Sequence, residues 1–383
     1  MKNNPIKALS SLGQSVWYDN IQRSMLASGE LRCMVEEDDL RGVTTNPSIF
    51  QKAIAESSDY DESLMHLCQE FPDQSFEERF VSLAIEDIQE TADTLRPVYE
   101  ATKGRDGMVS IEVSPLLAYD TDGSIAEGKE LFARIGRPNV MIKIPATRSG
   151  IPAIEELIHA GINVNATLLF SIERYVEVAE AYIRGIRKRY EKGADVSRVA
   201  SVASFFVSRV DSAVDKALEE RMRSVSGWER TKLESLRGKV AIANAKAAYL
   251  RYQKLFSEAH FGELHHAGAQ NQRLLWASTG TKNPDYSDVL YVESLIGPDT
   301  VNTIPPSTYQ AFREHGRAES TLMQGMGYAE DVLNQVSELG IDLGTITRRL
   351  EEEGVAAFAK AYNELLTAIG EKSALLACSK KAS

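Results

Sequence analysis

The sequence has few cysteines, and their spacing excludes two kinds of small-domain architecture. Only Cys33, Cys68 and Cys378 occur in 383 residues, and no two of them lie close in sequence. A disulfide framework needs more cysteines, and a cysteine-based zinc site needs closely spaced pairs. The adjacent pair His265-His266 lacks a nearby carboxylate pattern and is a weak metal-ligand candidate. We therefore expect no metal, no cofactor and a cytosolic protein.

Positive charge and long apolar runs are scarce as well. Lys and Arg number 43 against 55 Asp and Glu, which gives a net charge of -12. Because nucleic-acid affinity comes mainly from clustered basic side chains, this balance argues against a nucleic-acid partner, although a local basic patch for a small anion stays open. No uncharged stretch approaches the roughly 20 residues that span a bilayer, and the first residues lack the apolar core of a signal sequence. We expect no membrane partner and a cytoplasmic location.

Eight short strand-like segments alternate with amphipathic helical patterns, and eight is the number that closes a (β/α)8 barrel. They are residues 15–19, 42–45, 108–114, 140–145, 162–169, 199–207, 274–279 and 300–304. An open doubly wound sheet is the alternative, but no G-x-G-x-x-G sequence follows the first strand. No linker rich in Pro, Gly or Ser divides the chain. We predict an α/β fold, a TIM barrel that forms a single domain over residues 1–383.

Some segments of the chain are longer than a minimal (β/α)8 barrel needs. Residues 219–239 are highly charged with a few apolar anchors, which predicts a helical insertion on the outside, although a plain solvated surface would show the same pattern. Extra helices are expected at both termini. Residues 306–372 predict two or three helices, including the amphipathic stretch 346–369, which would pack against the barrel or lie over its mouth.

Lys143 stands inside the apolar run Val140–Pro145, which predicts a strand buried on both sides. Burial disfavours the charged form of an amine, and a neutral amine is a nucleophile that can form a Schiff base with a carbonyl substrate. The alternatives are a salt-bridged core lysine and a strand edge. Taken alone, the lysine does not decide among them.

The alternation of side chains along the strands predicts that polar side chains lie near Lys143. Ser110 and Glu112 share one face of the third strand, and Asn165 and Thr167 share one face of the fifth. Four further polar residues lie within or just after other strands: Asp19, Asn46, Ser204 and Ser278. Polar residues near the carboxyl ends of barrel strands are typical of a catalytic mouth, whereas a structural interior favours Val, Ile and Leu.

Anion-binding candidates follow the sixth and seventh strands. Residues 277–283 (ASTGTKN) combine hydroxyl groups, a glycine and Lys282 where barrel enzymes often bind phosphate. Arg209 follows the sixth strand, and a guanidinium binds phosphate oxygens through two parallel hydrogen bonds. A plain turn and a surface ion pair are the alternatives at these two places.

The ordered set of motifs resembles the transaldolase family over roughly residues 12–370. The motifs are VWYD (16–19), GVTTNPS (42–48), VSIEV (109–113), MIKIPAT (141–147), NVNATLLF (163–170), ASFFVSR (203–209) and QRLLWASTGTK (272–282). Singly these strings are modest signals, but their order is highly specific. The resemblance implies an enzyme of the pentose phosphate pathway that moves a dihydroxyacetone unit from sedoheptulose 7-phosphate to glyceraldehyde 3-phosphate.

The resemblance also implies roles for individual residues. Lys143 would form the Schiff base, Glu112 with Thr167 would position and activate a water, and Asp19 would exchange the proton of the C4 hydroxyl. Substrate-binding candidates are Asn46, Asn165, Ser204 and Phe206. Phosphate-binding candidates are Arg209, Ser278 and Lys282. Gly280 stands where many members carry an arginine, so Lys282 is the nearest cation. The partners implied are phosphorylated sugars, bound by a monomer or a homodimer.

Three other functions stay open at this point. A related subfamily of lyases releases free dihydroxyacetone, but it carries Gln and Tyr where this sequence has Glu112 and Phe206. A lysine that carries pyridoxal phosphate would need a similar amine and phosphate site. A barrel without catalytic activity is the third. Transfer is the hypothesis that the motifs favour.

Overall fold

Eight parallel strands pair in chain order, and the first strand pairs with the last, so that the sheet is a closed barrel. The structure is a computed structural model that describes residues 4–379, with side chains up to residue 376. The strands are β1 Gln14–Tyr18, β2 Gly42–Thr44, β3 Met108–Glu112, β4 Val140–Pro145, β5 Asn163–Leu169, β6 Ser201–Phe206, β7 Arg273–Ala277 and β8 Thr300–Ile304. All eight predicted strands are present, and the predicted (β/α)8 barrel is confirmed.

Helices surround the barrel and extend beyond it. Over the described residues they are α1 Pro5–Ser11, α2 Arg23–Ala27, α3 Glu30–Asp38, α4 Pro47–Glu56, α5 Asp61–Glu70, α6 Phe76–Ala101, α7 Thr121–Ile135, α8 Gly150–Ala160, α9 Ile172–Glu191, α10 Ser208–Met222, α11 Gly227–Ser235, α12 Val240–Leu255, α13 Glu258–His266, α14 Leu290–Ser294, α15 Pro306–His315, α16 Met326–Glu338 and α17 Leu343–Ser379. A 3-10 turn occupies Pro115–Leu117. No helix in this part of the chain is long and apolar enough to cross a membrane.

The register of the central strands explains why polar side chains meet inside the barrel. Lys143 on β4 pairs with Glu112 on β3 and with Asn165 on β5. Its neighbours Ile142 and Ile144 are fully buried. Because side chains alternate along a strand, these two face the outer helices while Lys143 faces inward.

The amino-terminal end of the barrel is filled by a buried ion pair and an aromatic ring. Arg273 Nη2 lies 2.8 Å from Asp106 Oδ1, and both side chains are almost fully buried. The Trp17 ring lies against Gly42, where an added Cβ would come within 2.5 Å of a ring atom. Glycine at residue 42 is thus a packing requirement.

The charged stretch 219–239 comprises the end of α10, a loop and α11, as predicted. Leu233 and Leu236 are buried anchors, whereas Trp228 is 73% exposed. Most of the remaining side chains of α11 are exposed or half-buried. The insertion is therefore a surface feature.

The C-terminal helix α17 crosses the mouth of the barrel, which decides between the two predicted positions. Gly354 lies so close to Leu168 that an added Cβ would be 2.9 Å from Leu168 Cδ2. The Phe358 ring follows one turn later and lies over Lys143. Farther along α17, the Tyr362 hydroxyl donates to Glu77 Oε1 on α6 at 2.6 Å.

Two of the three cysteines can be located. Cys33 is exposed and Cys68 is half-buried, and both are free thiols. The side chain of Cys378 lies outside the described residues.

Candidate active site

A cavity of about 600 Å³ opens at the carboxyl ends of the strands. Nine of the predicted site residues line it: Asp19, Asn46, Lys143, Thr167, Ser204, Phe206, Arg209, Ser278 and Lys282. The other two, Glu112 and Asn165, lie in the barrel wall next to Lys143 and do not line the cavity. The strand order therefore brings together residues that span more than 260 positions of the sequence.

Lys143 is buried, and its amine makes a single hydrogen bond within the described residues. Its side chain is 6% exposed, and Nζ donates one hydrogen bond of 2.8 Å to the backbone oxygen of Thr45. Glu112 Oε2 lies 3.4 Å from Nζ, and the centroid of the Phe358 ring lies 5.9 Å from it. The lysine is thus a salt-bridged interior lysine that also faces a substrate-sized cavity.

Glu112 has a carboxylate without hydrogen-bond partners. Its side chain is 3% exposed, and both oxygens are buried and accept no hydrogen bond from the described residues. The contact with Lys143 is an ion pair that misses hydrogen-bond geometry. Burial raises the pKa of Glu112, and the positive charge of Lys143 lowers it in part. The group can therefore take up a proton more readily than an exposed glutamate.

Thr167 provides a second unpaired group close to Lys143. Its Oγ1 is buried and has no hydrogen-bond partner within the described part of the chain. The next residue, Leu168, has a φ of +62°, and the register between β5 and β6 shifts in this segment. A bulge re-aims nearby side chains, and Thr167 lies within this irregular segment of β5 and lines the cavity.

Asp19 lies at the end of β1, where Thr44 Oγ1 donates to its Oδ1 at 2.7 Å. Burial raises the pKa of Asp19, while the Thr44 hydrogen bond and the charges of Lys143, Arg209 and Lys282 lower it. The net direction is upward. Asp19 is thus a carboxylate at the cavity wall that can accept and return a proton.

Amide and hydroxyl groups form a short chain beside Lys143. Ser204 Oγ donates to Asn165 Oδ1 at 2.7 Å, and Asn165 Nδ2 donates to Ser110 Oγ at 3.1 Å. On the other side of the cavity, Asn46 Oδ1 accepts the Ile49 amide at 3.1 Å and caps α4. These bonds fix the orientation of Asn165 and Asn46.

Arg209 places a guanidinium on the side of the cavity that is formed by the start of α10. Its guanidinium lies 5.4 Å from the centroid of the Phe206 ring and has no hydrogen bond or ion pair with any described residue. Burial lowers the pKa of Arg209, which Asp19 opposes. A half-buried guanidinium without an acceptor, facing a cavity, is suited to binding an anion.

Ser278 and Lys282 complete this side. The Ser278 hydroxyl lies 2.9 Å from the Ser208 hydroxyl at the start of α10, and Lys282 is exposed at the rim. Gly280 packs against the start of α15, since an added Cβ would lie 3.1 Å from Pro305 Cγ. A side chain at residue 280 would therefore require Pro305 and Thr308 to shift by a few tenths of an ångström.

The structure adds lining residues that sequence reasoning missed. Phe358 and Lys52 both line the cavity. The amphipathic pattern of α17 indicated that Phe358 would be buried but not against which surface. Lys52 lies on an exposed face of α4, where its charge gave no specific signal.

The adjacent histidines His265 and His266 each contact a hydrogen-bond partner. His265 Nε2 contacts Asn271 Oδ1, and His266 Nδ1 contacts the backbone oxygen of Gly262 at 2.7 Å. Among the described residues, no group of three His, Cys, Asp or Glu side chains is placed to hold a metal ion.

The closed barrel and the buried lysine at its mouth define an aldolase-type (β/α)8 enzyme. A sequence model of the family described as Transaldolase/Fructose-6-phosphate aldolase matches residues 16–369. The chain belongs to this family, and the resemblance predicted from the motifs is confirmed.

Three bacterial relatives illustrate the similarity. A transaldolase of Trichodesmium erythraeum is 44% identical over 97% of this chain and 98% of its own length. A transaldolase of Thiobacillus denitrificans is 46% identical over 96% of this chain and all of its own length. Transaldolase 1 of Streptomyces avermitilis is 46% identical over 95% of this chain and 94% of its own. The similarity therefore extends over nearly the full length of each chain.

Proposed function

We propose that the protein is a transaldolase that transfers a dihydroxyacetone unit from sedoheptulose 7-phosphate to glyceraldehyde 3-phosphate. The products are erythrose 4-phosphate and fructose 6-phosphate, as in the non-oxidative pentose phosphate pathway. One observation carries the proposal. The amine of Lys143 is buried at the cavity, with a single backbone acceptor, and the Glu112 carboxylate beside it forms an ion pair with the amine but accepts no hydrogen bond from the described residues.

The first step joins Lys143 to the donor. The neutral amine attacks the C2 carbonyl of the ketose, and the carbonyl oxygen leaves as water when an iminium forms. Glu112 exchanges the protons of this step, because its raised pKa and its unpaired oxygens suit a group that cycles between acid and base. Thr167 Oγ1 is the second unpaired group that can bind the leaving or attacking water.

The second step breaks the bond between C3 and C4. Asp19 takes the proton of the C4 hydroxyl, and the electron pair of the broken bond moves into the iminium, which becomes an enamine. The aldehyde leaves. The acceptor aldehyde then binds, the enamine attacks its carbonyl carbon, and Asp19 returns the proton. The cationic iminium supplies the electron sink for this step. Water finally attacks C2 of the new iminium, which releases the ketose and regenerates the amine of Lys143.

The remaining residues hold the substrate. Asn46 and Ser204 present polar groups to the hydroxyls of the dihydroxyacetone unit, Asn165 orients Ser204 from behind, and Phe206 forms an apolar wall. Arg209, with Ser278 and Lys282, binds the phosphate at the far end of the sugar. The cavity of about 600 Å³ has room for a seven-carbon sugar phosphate.

The test is reduction with borohydride in the presence of fructose 6-phosphate. We expect a reduced three-carbon adduct on Lys143, and no adduct and no transfer in the Lys143→Ala variant. Lys246→Met is the matched control, because Lys246 is another buried lysine, which donates to the backbone oxygens of Thr321 and Gln324 outside the cavity. An adduct on another lysine, or no adduct, contradicts the mechanism.

Product analysis distinguishes the proposal from its alternatives. A lyase would release free dihydroxyacetone from fructose 6-phosphate without an acceptor, and a protein that holds pyridoxal phosphate would absorb visible light. We expect a colourless protein whose turnover requires an acceptor aldehyde. A cytoplasmic location and a monomer or homodimer complete the proposal. Light scattering after size-exclusion chromatography measures the oligomeric state.

A further inference from the structure

The phosphate side of the cavity is built from two separate elements. Arg209 lies on the first turn of α10, whereas Ser278 and Lys282 lie in the connection from β7 to β8. That connection, residues 278–299, contains only the five-residue helix α14. A long connection with so little regular structure needs other contacts to keep its shape.

Two aspartates on α10 bind this connection through tyrosine hydroxyls. Asp211 Oδ2 accepts from the Tyr291 hydroxyl at 3.0 Å. Asp215 Oδ2 accepts from the Tyr286 hydroxyl at 2.7 Å. The two aspartates are four residues apart and therefore lie on one face of the helix. We call these two contacts the double clasp.

The second oxygen of each aspartate fixes the clasp to the start of α12. Asp211 Oδ1 accepts the Ala241 amide at 2.7 Å, and Asp215 Oδ1 accepts the Gly238 amide at 3.1 Å. Gly238 has a φ of +69°, and an added Cβ there would lie 2.9 Å from the Tyr286 ring. Both carboxylates are buried, at 1% and 7% exposure. Each aspartate therefore accepts one hydrogen bond from the β7–β8 connection and one from the start of α12 or the residues just before it. These two bonds fix the carboxylate that each tyrosine hydroxyl contacts.

A third contact lies on the same face of α10, at the end of the helix that is closest to the proposed phosphate site. The Ser208 amide donates to the Ser278 backbone oxygen at 3.0 Å, and the two hydroxyls lie 2.9 Å apart. Residues 208, 211 and 215 follow the spacing i, i+3, i+7, which defines one stripe of a helix. Arg209 lies within this stretch, so the helix that carries Arg209 also holds the loop that carries Ser278 and Lys282.

We propose that Tyr286 and Tyr291, through Asp215 and Asp211, are positioning residues for phosphate binding. They hold the β7–β8 connection against α10, so that Ser278 and Lys282 stay opposite Arg209. The inference rests on the proposed function for the identity of the substrate. It concerns the anion site alone and leaves the chemistry at Lys143 unchanged.

The test measures anion binding directly, with inorganic phosphate as the probe. Tyr286→Phe and Tyr291→Phe each remove one hydroxyl and keep the ring. Because the loss of one net hydrogen bond sets the upper limit of the effect, we expect the dissociation constant for phosphate, measured by calorimetry on the unreacted enzyme, to rise by at most about fivefold. The KM for fructose 6-phosphate should rise by a similar factor, while the KM for unphosphorylated fructose stays within twofold of the wild-type value.

Tyr60→Phe is the matched control. The Tyr60 hydroxyl donates to Asp87 Oδ2 on α6 at 2.6 Å, outside both the cavity and the β7–β8 connection. This variant loses one hydrogen bond of a buried tyrosine and should keep the wild-type affinity for phosphate.

Two results would overturn the proposal. One is an unchanged dissociation constant for phosphate in folded Tyr286→Phe, Tyr291→Phe and their double variant. The other is an equal rise of KM for fructose and fructose 6-phosphate, which would mean that the clasp only stabilises the fold. The clasp and the proposed function fail on different results. Calorimetry with phosphate tests the clasp without turnover, whereas absence of a borohydride adduct in the wild-type enzyme contradicts the proposed function.

Discussion

Glu112→Gln tests whether Glu112 transfers protons, as proposed, or has only a structural role. The substitution replaces a carboxylate by an amide of nearly the same size and shape. In the wild-type enzyme both carboxylate oxygens lack a hydrogen-bond partner among the described residues, and Oε2 lies 3.4 Å from Lys143 Nζ. The variant therefore breaks no hydrogen bond and removes one buried negative charge.

The expected effect on catalysis is large and the effect on stability is small. A positioned acid or base contributes about 10²–10⁴ in rate, so kcat should fall by that factor. The pKa of Glu112 is raised, because burial outweighs the attraction of Lys143. The ionised carboxylate is therefore not a net source of stability. We expect the melting temperature to change by less than about 2 °C, since 1 kcal/mol corresponds to roughly 1 °C for a chain of 383 residues.

The assay follows formation of the adduct rather than turnover alone. Quenching with borohydride at successive times after mixing with fructose 6-phosphate gives the rate of Schiff-base formation. Glu127→Gln is the control, because Glu127 is a half-buried carboxylate that accepts the Ser114 amide at 3.0 and 3.1 Å outside the cavity. A wild-type rate of adduct formation and turnover in Glu112→Gln would refute the role of Glu112.

Three further predictions concern the phosphate side, the C-terminal helix and the pH dependence of stability. Arg209→Ala should raise the KM for phosphorylated sugars much more than for their unphosphorylated analogues, and equal effects on both would remove Arg209 from the phosphate site. Phe358→Ala should lower the free energy of unfolding in urea by roughly 3 kcal/mol, the lower end for a buried phenylalanine, because one face of the ring borders a cavity. Burial raises the pKa of Asp211 to about 7, so the folded state binds this proton more tightly than the unfolded state. Its contribution to stability is therefore present below about pH 4 and is lost as the pH rises to about 7. Melting curves of Asp211→Asn from pH 4 to 8 should lack this loss, and a slope equal to that of the wild-type enzyme would contradict the prediction.

The barrel and the family could be predicted from the sequence because both depend on local patterns. Alternation of Ser110 and Glu112 with aliphatic neighbours on β3 indicated an inward polar face, and the ordered motifs indicated the family. The same alternation placed Lys143 inside the barrel. It did not show that Glu112 would lie in the wall behind the cavity, because depth along a strand depends on the register with the neighbouring strands.

Contacts between elements far apart in sequence could not be predicted. The amphipathic pattern of α17 predicted a buried face, but its partner is set by tertiary packing of Gly354 on Leu168 and of Phe358 over Lys143. The left-handed φ of Leu168 carries no signal in a sequence of aliphatic residues. The same holds for Asp211 and Asp215, which look like ordinary charges on a helix until the chain folds.

The route of α17 also sets the order in which the active site can form. Lys143 is made before half of the chain has been synthesised, yet Phe358, which covers it, comes more than 200 residues later. The barrel itself cannot close until β8 is available to pair with β1. Contacts of such long sequence separation form late and slow folding. A ribosome-bound chain would therefore carry the amine of Lys143 in an open, unfinished barrel, and reactive aldehydes in the cell would have access to it until the last helix docks.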